Sequence, residues 1–471
     1  MDRSLTEGKV SSLLIRFSLP FLLSSVIQMA YSSVDMIILG RLASPASLAG
    51  AGNGASGIMT IMSMFMGLAS GGMILLGQYY GAKQNANCAK ALGNIIILQA
   101  VVVVLVTAIS LMAGKLYISM VNVPIEPDKL GLSADAEAWN YMRICVLGLA
   151  FQAGYNMVSS LLRSLGNSKM PLIFVSISCA INIVLDYIFV GPLKMGARGA
   201  ALATIIAQAF SFAISLAYVC GKKLPFHFSM KDIKPNYSVL KTVFKLGIPI
   251  SLQTVLNLIS FIVIAALINK MGLYASAANG IVNNIVNIYM IIPSSIGSAL
   301  SVISAQNLGA GKAERALEGA KLGILISLII AIPATIFASL NPTPIVSIIA
   351  VDPDVIKASA EFLIPFSWDC LFVSFVFTIN GFFNGCGITK FVAIHETVAA
   401  FAVRIPLTWA LSLVPGATLF HIGIGTPAAT LASLIMCLIY YKAKLSGDKL
   451  KLLRIAGNTE ENQTTTAQSA P

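Results

Sequence analysis

The sequence predicts an all-α membrane protein of about twelve transmembrane helices. It also predicts two six-helix lobes related by a pseudo-two-fold axis along the membrane normal. Three observations support this fold class: an apolar composition, apolar runs of helix length and an internal repeat. Of the 471 residues, 57% are hydrophobic and only 11% are charged, and the mean hydropathy is +0.84. Soluble domains carry about 25% charged residues, so much of this protein's surface must face lipid.

The apolar runs are long enough to cross a bilayer as helices. A hydrocarbon core about 30 Å thick requires roughly 20 helical residues, and backbone groups in lipid must be hydrogen-bonded internally. Runs such as 95–106 and 324–331 lack the alternation of barrel strands, which favours helices. We expect twelve helices, near residues 13–39, 47–77, 90–113, 136–163, 169–190, 197–220, 239–269, 276–307, 317–340, 357–385, 389–414 and 422–443.

An internal repeat divides the chain into two halves. Pro20 in Phe-Ser-Leu-Pro-Phe-Leu matches Pro249 in Leu-Gly-Ile-Pro-Ile-Ser, 229 residues later. Gln78-Tyr-Tyr-Gly-Ala matches Gln306-Asn-Leu-Gly-Ala at an offset of 228, and Gly166-Asn-Ser-Lys169 matches Gly387-Ile-Thr-Lys390 at an offset of 221. Six helices per half give both halves the same orientation, as in transporters built from parallel repeats. We expect an N-terminal lobe over 1–220, a basic cytoplasmic linker over 221–238, a C-terminal lobe over 239–445 and a polar, disordered tail over 446–471.

The net charge of +12 is explained by membrane topology and not by nucleic-acid binding. With both termini in the cytoplasm, most of the 31 Lys and Arg side chains fall in cytoplasmic segments, as the positive-inside rule requires. We therefore expect a monomeric, multi-pass protein of the cytoplasmic membrane with cytoplasmic termini and a lipid bilayer as its surroundings. The seven cysteines are scattered and form no CxxC motif, so no disulfide framework is expected.

Carboxylates inside the predicted helices are the leading functional candidates, because each costs at least a few kcal/mol at the bilayer centre. Asp35 lies late in the first helix and Asp186 lies in the fifth. Asn182, four residues before Asp186, shares its helix face. An amide oxygen beside carboxylates suits Na⁺ or a shared proton. Asp369, in the tenth helix, is a third candidate.

The other motifs favour no enzyme. The segment 52–57 matches GxGxxG, but no strand precedes it, so its glycines are expected to pack helices. His395-Glu396 lacks the second histidine of a zinc motif, and Arg404 is expected to form a structural ion pair. No Walker A motif and no nucleophile–base set occurs in the sequence. We expect a transporter without a cofactor, driven by an ion gradient.

Several of these motifs together resemble the multidrug and toxic compound extrusion (MATE) transporters, in particular their prokaryotic DinF/MepA-like branch. The resemblance covers residues 10–445 and rests on Pro20 … Val34-Asp35 … Gly40, Arg163-Ser-Leu-Gly-Asn-Ser-Lys169, Asn182-x-x-x-Asp186 and Gly196-Ala-Arg-Gly-Ala-Ala-Leu-Ala-Thr204. It implies export of cationic or amphipathic organic compounds in exchange for Na⁺ or H⁺. A lipid-linked oligosaccharide flippase is the alternative. It is disfavoured because Arg143 and Arg404 alone among the Lys and Arg residues are assigned to the membrane interior, and a flippase would be expected to carry several cationic residues along its cleft.

The resemblance also implies roles for single residues. Cation coupling is expected at Asp35, Asn182, Asp186 and Thr204, which would be the Na⁺ ligands in a sodium-coupled protein. Conformational or substrate-cavity roles are expected at Pro20, Gln28, Asn156, Asn257 and Asp369. Another branch of the family carries a Glu at the position of Asn257, so this departure argues against a main cation site in the C-terminal lobe. The C-terminal counterpart of the Asp186 region, around 403–407, contains no acid.

Overall fold

The computed structural model describes residues 4–445, apart from residues 122, 124, 126, 128–130 and 223. The predicted polar tail over 446–471 lies outside the described residues. Within the described residues all regular structure is helical, apart from one isolated bridge between Pro127 and Ser133. The prediction of an all-α protein is confirmed.

The helices of the described chain account for the predicted number of membrane crossings. Eleven helical spans are long and apolar enough to cross a bilayer, and one bent pair makes up to a twelfth. The α-helices are α1 Val10–Leu42, α2 Pro45–Gly81, α3 Asn85–Met120, α4 Ala134–Leu147, α5 Leu149–Ser164, α6 Lys169–Val190, α7 Gly196–Gly221, α8 Tyr237–Asn269, α9 Leu273–Gly309, α10 Ala313–Leu340, α11 Pro342–Val346, α12 Pro353–Gly385, α13 Thr389–Val398, α14 Ile405–Ser412, α15 Leu419–Gly423 and α16 Gly425–Tyr440. The prediction of about twelve spans is confirmed.

Two of the predicted spans are interrupted in the structure. The span predicted over 136–163 is the pair α4 and α5, which bend by 51° around Gly148. Ile205 of α7 packs so closely on Gly148 that a Cβ atom could not be accommodated there. The span predicted over 389–414 contains a π-helical segment, Ala399–Arg404, between α13 and α14. Pro406 follows it and cannot donate a backbone hydrogen bond, which favours local unwinding of the helix.

The outer surfaces of the helices are apolar. Met112 on α3 is 86% exposed, Val104 is 68% exposed, and Ile329 on α10 is 63% exposed. Such side chains are stable at a surface only where hydrocarbon replaces water. Small and polar residues are instead buried between helices, where Ser178 of α6 donates to the Ala207 carbonyl of α7 at 3.0 Å. Apolar side chains on the outside and small or polar side chains between the helices are typical of helical membrane proteins.

The described chain forms two compact units, and α1 and α8 each pass from one unit to the other. The first unit comprises Leu23–Tyr80 and Gln84–Ser251. The second comprises Ser4–Leu22, Gly81–Lys83 and the chain from Leu252 onward. Both changes of unit occur two residues after an internal proline, Pro20 in α1 and Pro249 in α8. The first turns of α1 and of α8 each belong to the unit that does not contain the rest of the helix.

Specific contacts hold these exchanged segments in their units. In the second unit, the Leu5 amide donates to Gln306 Oε1 at 3.2 Å, and Lys312 Nζ donates to the Thr6 carbonyl at 2.8 Å. In the first unit, the Asn236 amide at the end of the predicted linker donates to Asn94 Oδ1 at 2.7 Å. The linker is therefore attached to α3.

The start of α8 crosses α2 at a contact between two glycines. A Cβ atom on Gly71 would lie 2.6 Å from the Gly247 nitrogen and 2.7 Å from its Cα atom. We expect Gly71→Ala to destabilise the folded protein by about 1–3 kcal/mol, because backbone atoms cannot rotate away as a side chain can. The apparent melting temperature in detergent, followed by tryptophan fluorescence, measures the effect.

Gly280→Ala is the matched control for this variant. Gly280 lies within α9, and a Cβ atom there would have no neighbour within 4 Å. Alanine is the better helix former, so Gly280→Ala should keep or raise the melting temperature. Equal melting temperatures for Gly71→Ala and the wild type would contradict the close packing of α2 on α8.

Candidate functional site

Helix α6 positions two polar side chains in the interior of the first unit. Its buried residues recur every three or four positions, and Ser178, Asn182 and Asp186 form the polar part of this stripe. Asn182 and Asp186 are completely buried. The four-residue spacing recognised in the sequence therefore directs both side chains away from lipid, as expected for residues on one helix face.

Helix α1 brings the second acid to this stripe. Asp35 is half-buried, and Asp35 and Asn182 are both immediate side-chain neighbours of Asp186. Within the described part of the chain, Oδ1 of Asp35, both carboxylate oxygens of Asp186 and both polar side-chain atoms of Asn182 have no hydrogen-bond partner. We call Asp35, Asn182 and Asp186 the acid cluster.

The acid cluster combines two neighbouring carboxylates with no compensating positive charge on the hydrogen-bonding groups described above. Two adjacent carboxylates repel each other when both are ionised, and an unpaired buried charge costs several kcal/mol. Binding one proton or one small cation between them removes this cost. Their oxygens, with the amide oxygen of Asn182, are ligands that a hard cation prefers. Within the described residues no group of three or more His, Cys, Asp or Glu is arranged to hold a metal ion. Oxygen ligands of the kind in the acid cluster suit hard cations, whereas imidazole and thiolate ligands suit transition metals.

Thr204 is connected to the acid cluster through Tyr31, a residue that the sequence analysis missed. The hydroxyl of Tyr31 donates to Thr204 Oγ1 at 3.1 Å, which ties α1 to α7. Tyr31 precedes Asp35 by four residues and therefore shares its helix face. That spacing was available in the sequence, but tyrosine inside an apolar helix is usually a packing residue.

Helix α4 adds another pair of residues that lie four positions apart and therefore share a helix face. Tyr141 and Cys145 are buried; Tyr141 lies near both Asp35 and Asp186, and Cys145 lies near Asp35. Helix α4 packs on α7. No motif in the sequence links this part of α4 to α1 or α6, so only the tertiary structure shows this contact.

The remaining predicted residues occupy different surroundings. Pro20 is buried in α1, Gln28 is exposed on α1 and Asn156 is half-buried on α5. Asn257 and Asp369 belong to the second unit. Asp369 is buried and its Oδ1 accepts a 2.6 Å hydrogen bond from Thr430.

Asn257 contacts two charged residues of the second unit. Its Nδ2 donates to Glu396 Oε2 at 3.3 Å, and its Oδ1 accepts from Arg404 at 3.4 Å. The guanidinium of Arg404 also lies over the ring of Phe261, 4.6 Å from its centroid. Asn257 therefore joins an acid and a base that both come from the polypeptide after α12.

Comparison with known proteins identifies the family. The MatE family model matches this chain twice, at residues 20–188 and 249–410. The two matches begin 229 residues apart, which is the offset of the proline repeat.

Two relatives cover nearly the whole chain. A probable multidrug resistance protein, YpnP of Bacillus subtilis, is 26% identical over 440 residues, covering 93% of this chain and 96% of its own length. A multidrug export protein, MepA of Staphylococcus haemolyticus, is 24% identical over 458 residues and covers 95% of this chain and 98% of its own length.

Solved structures share the fold. The crystal structure of a MATE protein in complex with MaL6 superposes with a TM-score of 0.87 at 18% identity, over 96% of this chain and all of the other. A MOP superfamily transporter from Pyrococcus furiosus gives the same TM-score at 18% identity, over 96% of this chain and 98% of the other. The two model matches cover well over half of the sequence and confirm the resemblance seen in its motifs, so this multi-pass membrane protein belongs to the MatE family of multidrug efflux transporters.

Proposed function

We propose that this protein exports cationic or amphipathic organic compounds across the cytoplasmic membrane in exchange for inward-moving Na⁺ or H⁺. The relatives named above are a probable multidrug resistance protein and a multidrug export protein, which supports the export of small organic molecules. A lipid-linked oligosaccharide flippase is not favoured by these relatives. We propose that the protein acts as a monomer. We also propose that both termini lie in the cytoplasm, the orientation that the positive-inside rule favours.

The unpaired acid cluster is the observation that carries the coupling proposal. Asp35 and Asp186 are adjacent carboxylates inside a membrane helix bundle, and Asn182 supplies an additional oxygen. A site with these groups binds one cation when the outside supplies it and releases the cation when the inside is depleted. Tyr31 lies near Asp35 and is hydrogen-bonded to Thr204, which supports including both hydroxyl groups in the proposed cation site.

Helix α1 offers a route from cation binding to a change of shape. Asp35 and the unit boundary at Leu22 lie on one continuous helix, with Pro20 just before the boundary. Asp35 follows Pro20 by roughly four helical turns. Proline removes one backbone hydrogen bond and favours bending at this level. We propose that neutralising Asp35 changes the packing of α1 and lets it bend near Pro20, and that Gln28 and Asn156 contribute to the substrate cavity.

Asp35→Asn should abolish coupled export. The variant keeps the shape of the side chain but removes the charge that binds the cation, so efflux should fall at least about tenfold, to background. The measurement is efflux of a fluorescent organic cation from proteoliposomes, under an imposed Na⁺ gradient in one arm and an imposed pH gradient in the other. Whichever gradient drives wild-type efflux identifies the coupling ion.

Asp354→Asn is the matched control for this experiment. Asp354 is an exposed residue in the first turn of α12 and should tolerate the same substitution with unchanged efflux. Wild-type efflux by correctly inserted Asp35→Asn protein would refute the proposed coupling role of the acid cluster.

Cation binding should also stabilise the folded protein. A ligand that binds only the folded state at a hundred times its dissociation constant adds about 2.7 kcal/mol. For a sodium-coupled protein we expect NaCl, compared with choline chloride at equal ionic strength, to raise the melting temperature of the wild type. The increment should disappear in Asp186→Asn. An equal increment in Asp186→Asn would place the stabilising Na⁺ elsewhere.

A further inference from the structure

The second unit contains a chain of hydrogen bonds centred on Glu396 of α13. Asn380 of α12 donates from Nδ2 to Glu396 Oε1 at 2.8 Å, and Asn257 of α8 donates to Oε2 at 3.3 Å. The oxygen of each amide points away from Glu396. Asn380 Oδ1 lies 3.0 Å from Nε2 of His395, and Asn257 Oδ1 accepts from Arg404. Five side chains from three parts of the unit are thus joined in sequence.

The direction of these bonds determines where the protons lie. Each amide uses its N–H group on Glu396, so its oxygen can only accept from the next residue. His395 must therefore carry hydrogen on Nε2. Its Nδ1 atom, 2.8 Å from the hydroxyl of Ser433 on α16, is left as an acceptor. The chain is satisfied when Glu396 is ionised and His395 is neutral.

With Asp369 ionised as well as Glu396, the charges of the network do not balance. The two acids contribute two negative charges, and Arg404 contributes one positive charge. Asp369 is 3% exposed, Arg404 is 7% exposed and His395 is completely buried. An uncompensated charge is strongly unfavourable in such surroundings, and uptake of one proton makes the four groups neutral. Arg404 Nε also lacks a hydrogen-bond partner within the described residues, so Arg404 is only partly satisfied by this network.

The π-helical segment Ala399–Arg404 explains how Glu396 and Arg404, which lie on one continuous stretch of helix, can both reach Asn257. In a regular α-helix Glu396 and Arg404, eight residues apart, would be turned about 80° from each other. The wider π-helical turns change this register, and both side chains reach Asn257. Irregular turns of this kind occur frequently at functional sites.

We propose that His395 and Glu396 form a proton-binding pair that takes up one proton per chain. The proton binds at Nδ1 of His395, the hydroxyl of Ser433 turns to accept the new N–H bond, and ionised Glu396 balances the charge through Asn380. The ionisable groups facing the pair are Asp369 of α12, Arg404 of the π-helical segment and Cys437 of α16, whose Sγ lies 3.5 Å from Nε2 of the ring. The pair lies in a different unit from Asp35 and Asp186. The pair contains none of the acid-cluster residues, so it is a separate site.

Proton-uptake titration of the purified protein tests the proposal without any transport assay. The protons bound between about pH 8 and about pH 5, which brackets the imidazole range, are counted in weakly buffered detergent solution. Relative to the wild type, we expect Glu396→Gln and His395→Gln each to lose about one proton. The double variant should lose about one proton and not two, because the pair binds a single proton. Only variants that elute as monodisperse protein are compared.

One control establishes that the loss is specific. Glu361→Gln, at a half-buried glutamate in α12 of the same unit, should take up as many protons as the wild type. The proposal is overturned if either single variant of the pair takes up as many protons as the wild type, or if the losses of His395→Gln and Glu396→Gln add. Either outcome leaves the proposed role of Asp35 untouched, because efflux through the acid cluster is measured separately.

Ser433→Ala is a milder variant that keeps both members of the pair. It removes only the oxygen that would accept a hydrogen bond from protonated Nδ1. The variant should still take up the proton, but at lower pH than the wild type, because the protonated ring is less well stabilised. An unchanged uptake curve would show that the proton does not bind at Nδ1.

Discussion

The requirement that polar groups be satisfied inside the bilayer governs this structure. Hydrocarbon offers no hydrogen bonds, so the described chain is helical throughout its spans and polar side chains turn inward. The exposed surfaces carry residues such as Met112 and Ile329, while serine, asparagine and carboxylate side chains are buried between helices. Under this constraint an unpaired acid inside the helix bundle costs free energy, so such an acid is a functional candidate.

The packing of small residues makes the exchange of helix segments possible. Gly71 of α2 and Gly247 of α8 touch at the backbone, and Ile205 fills the space at Gly148. Such contacts draw the start of α8 into the first unit, and the start of α1 packs in the second unit through Leu5 and Lys312. The two helices that change unit both carry an internal proline. In each helix the proline, which favours a bend, lies just before the residue at which the helix passes into the other unit.

The two polar networks solve the problem of buried charge in different ways. The acid cluster leaves most of its buried oxygens without partners in the described chain, which favours binding of a proton or a small cation. The network around Glu396 joins donors and acceptors in sequence, and we have proposed that it takes up one proton. The first arrangement suits a coupling ion that enters and leaves, and the second suits a proton held in a preformed hydrogen-bond chain.

The sequence by itself determined the fold class, the number of spans, the repeat and the family. These properties depend on composition, on apolar run length and on local motifs that need no knowledge of packing. It also identified Asp35, Asn182 and Asp186, because intramembrane carboxylates are rare and the last two share a helix face. The tertiary structure alone showed Tyr31 and Tyr141 near these acids and showed which side chains surround Glu396. It also placed the starts of α1 and α8 in opposite units and revealed the π-helical segment before Arg404. These features depend on contacts between residues far apart in the chain, and local periodicity carries no information about which distant helix faces will meet.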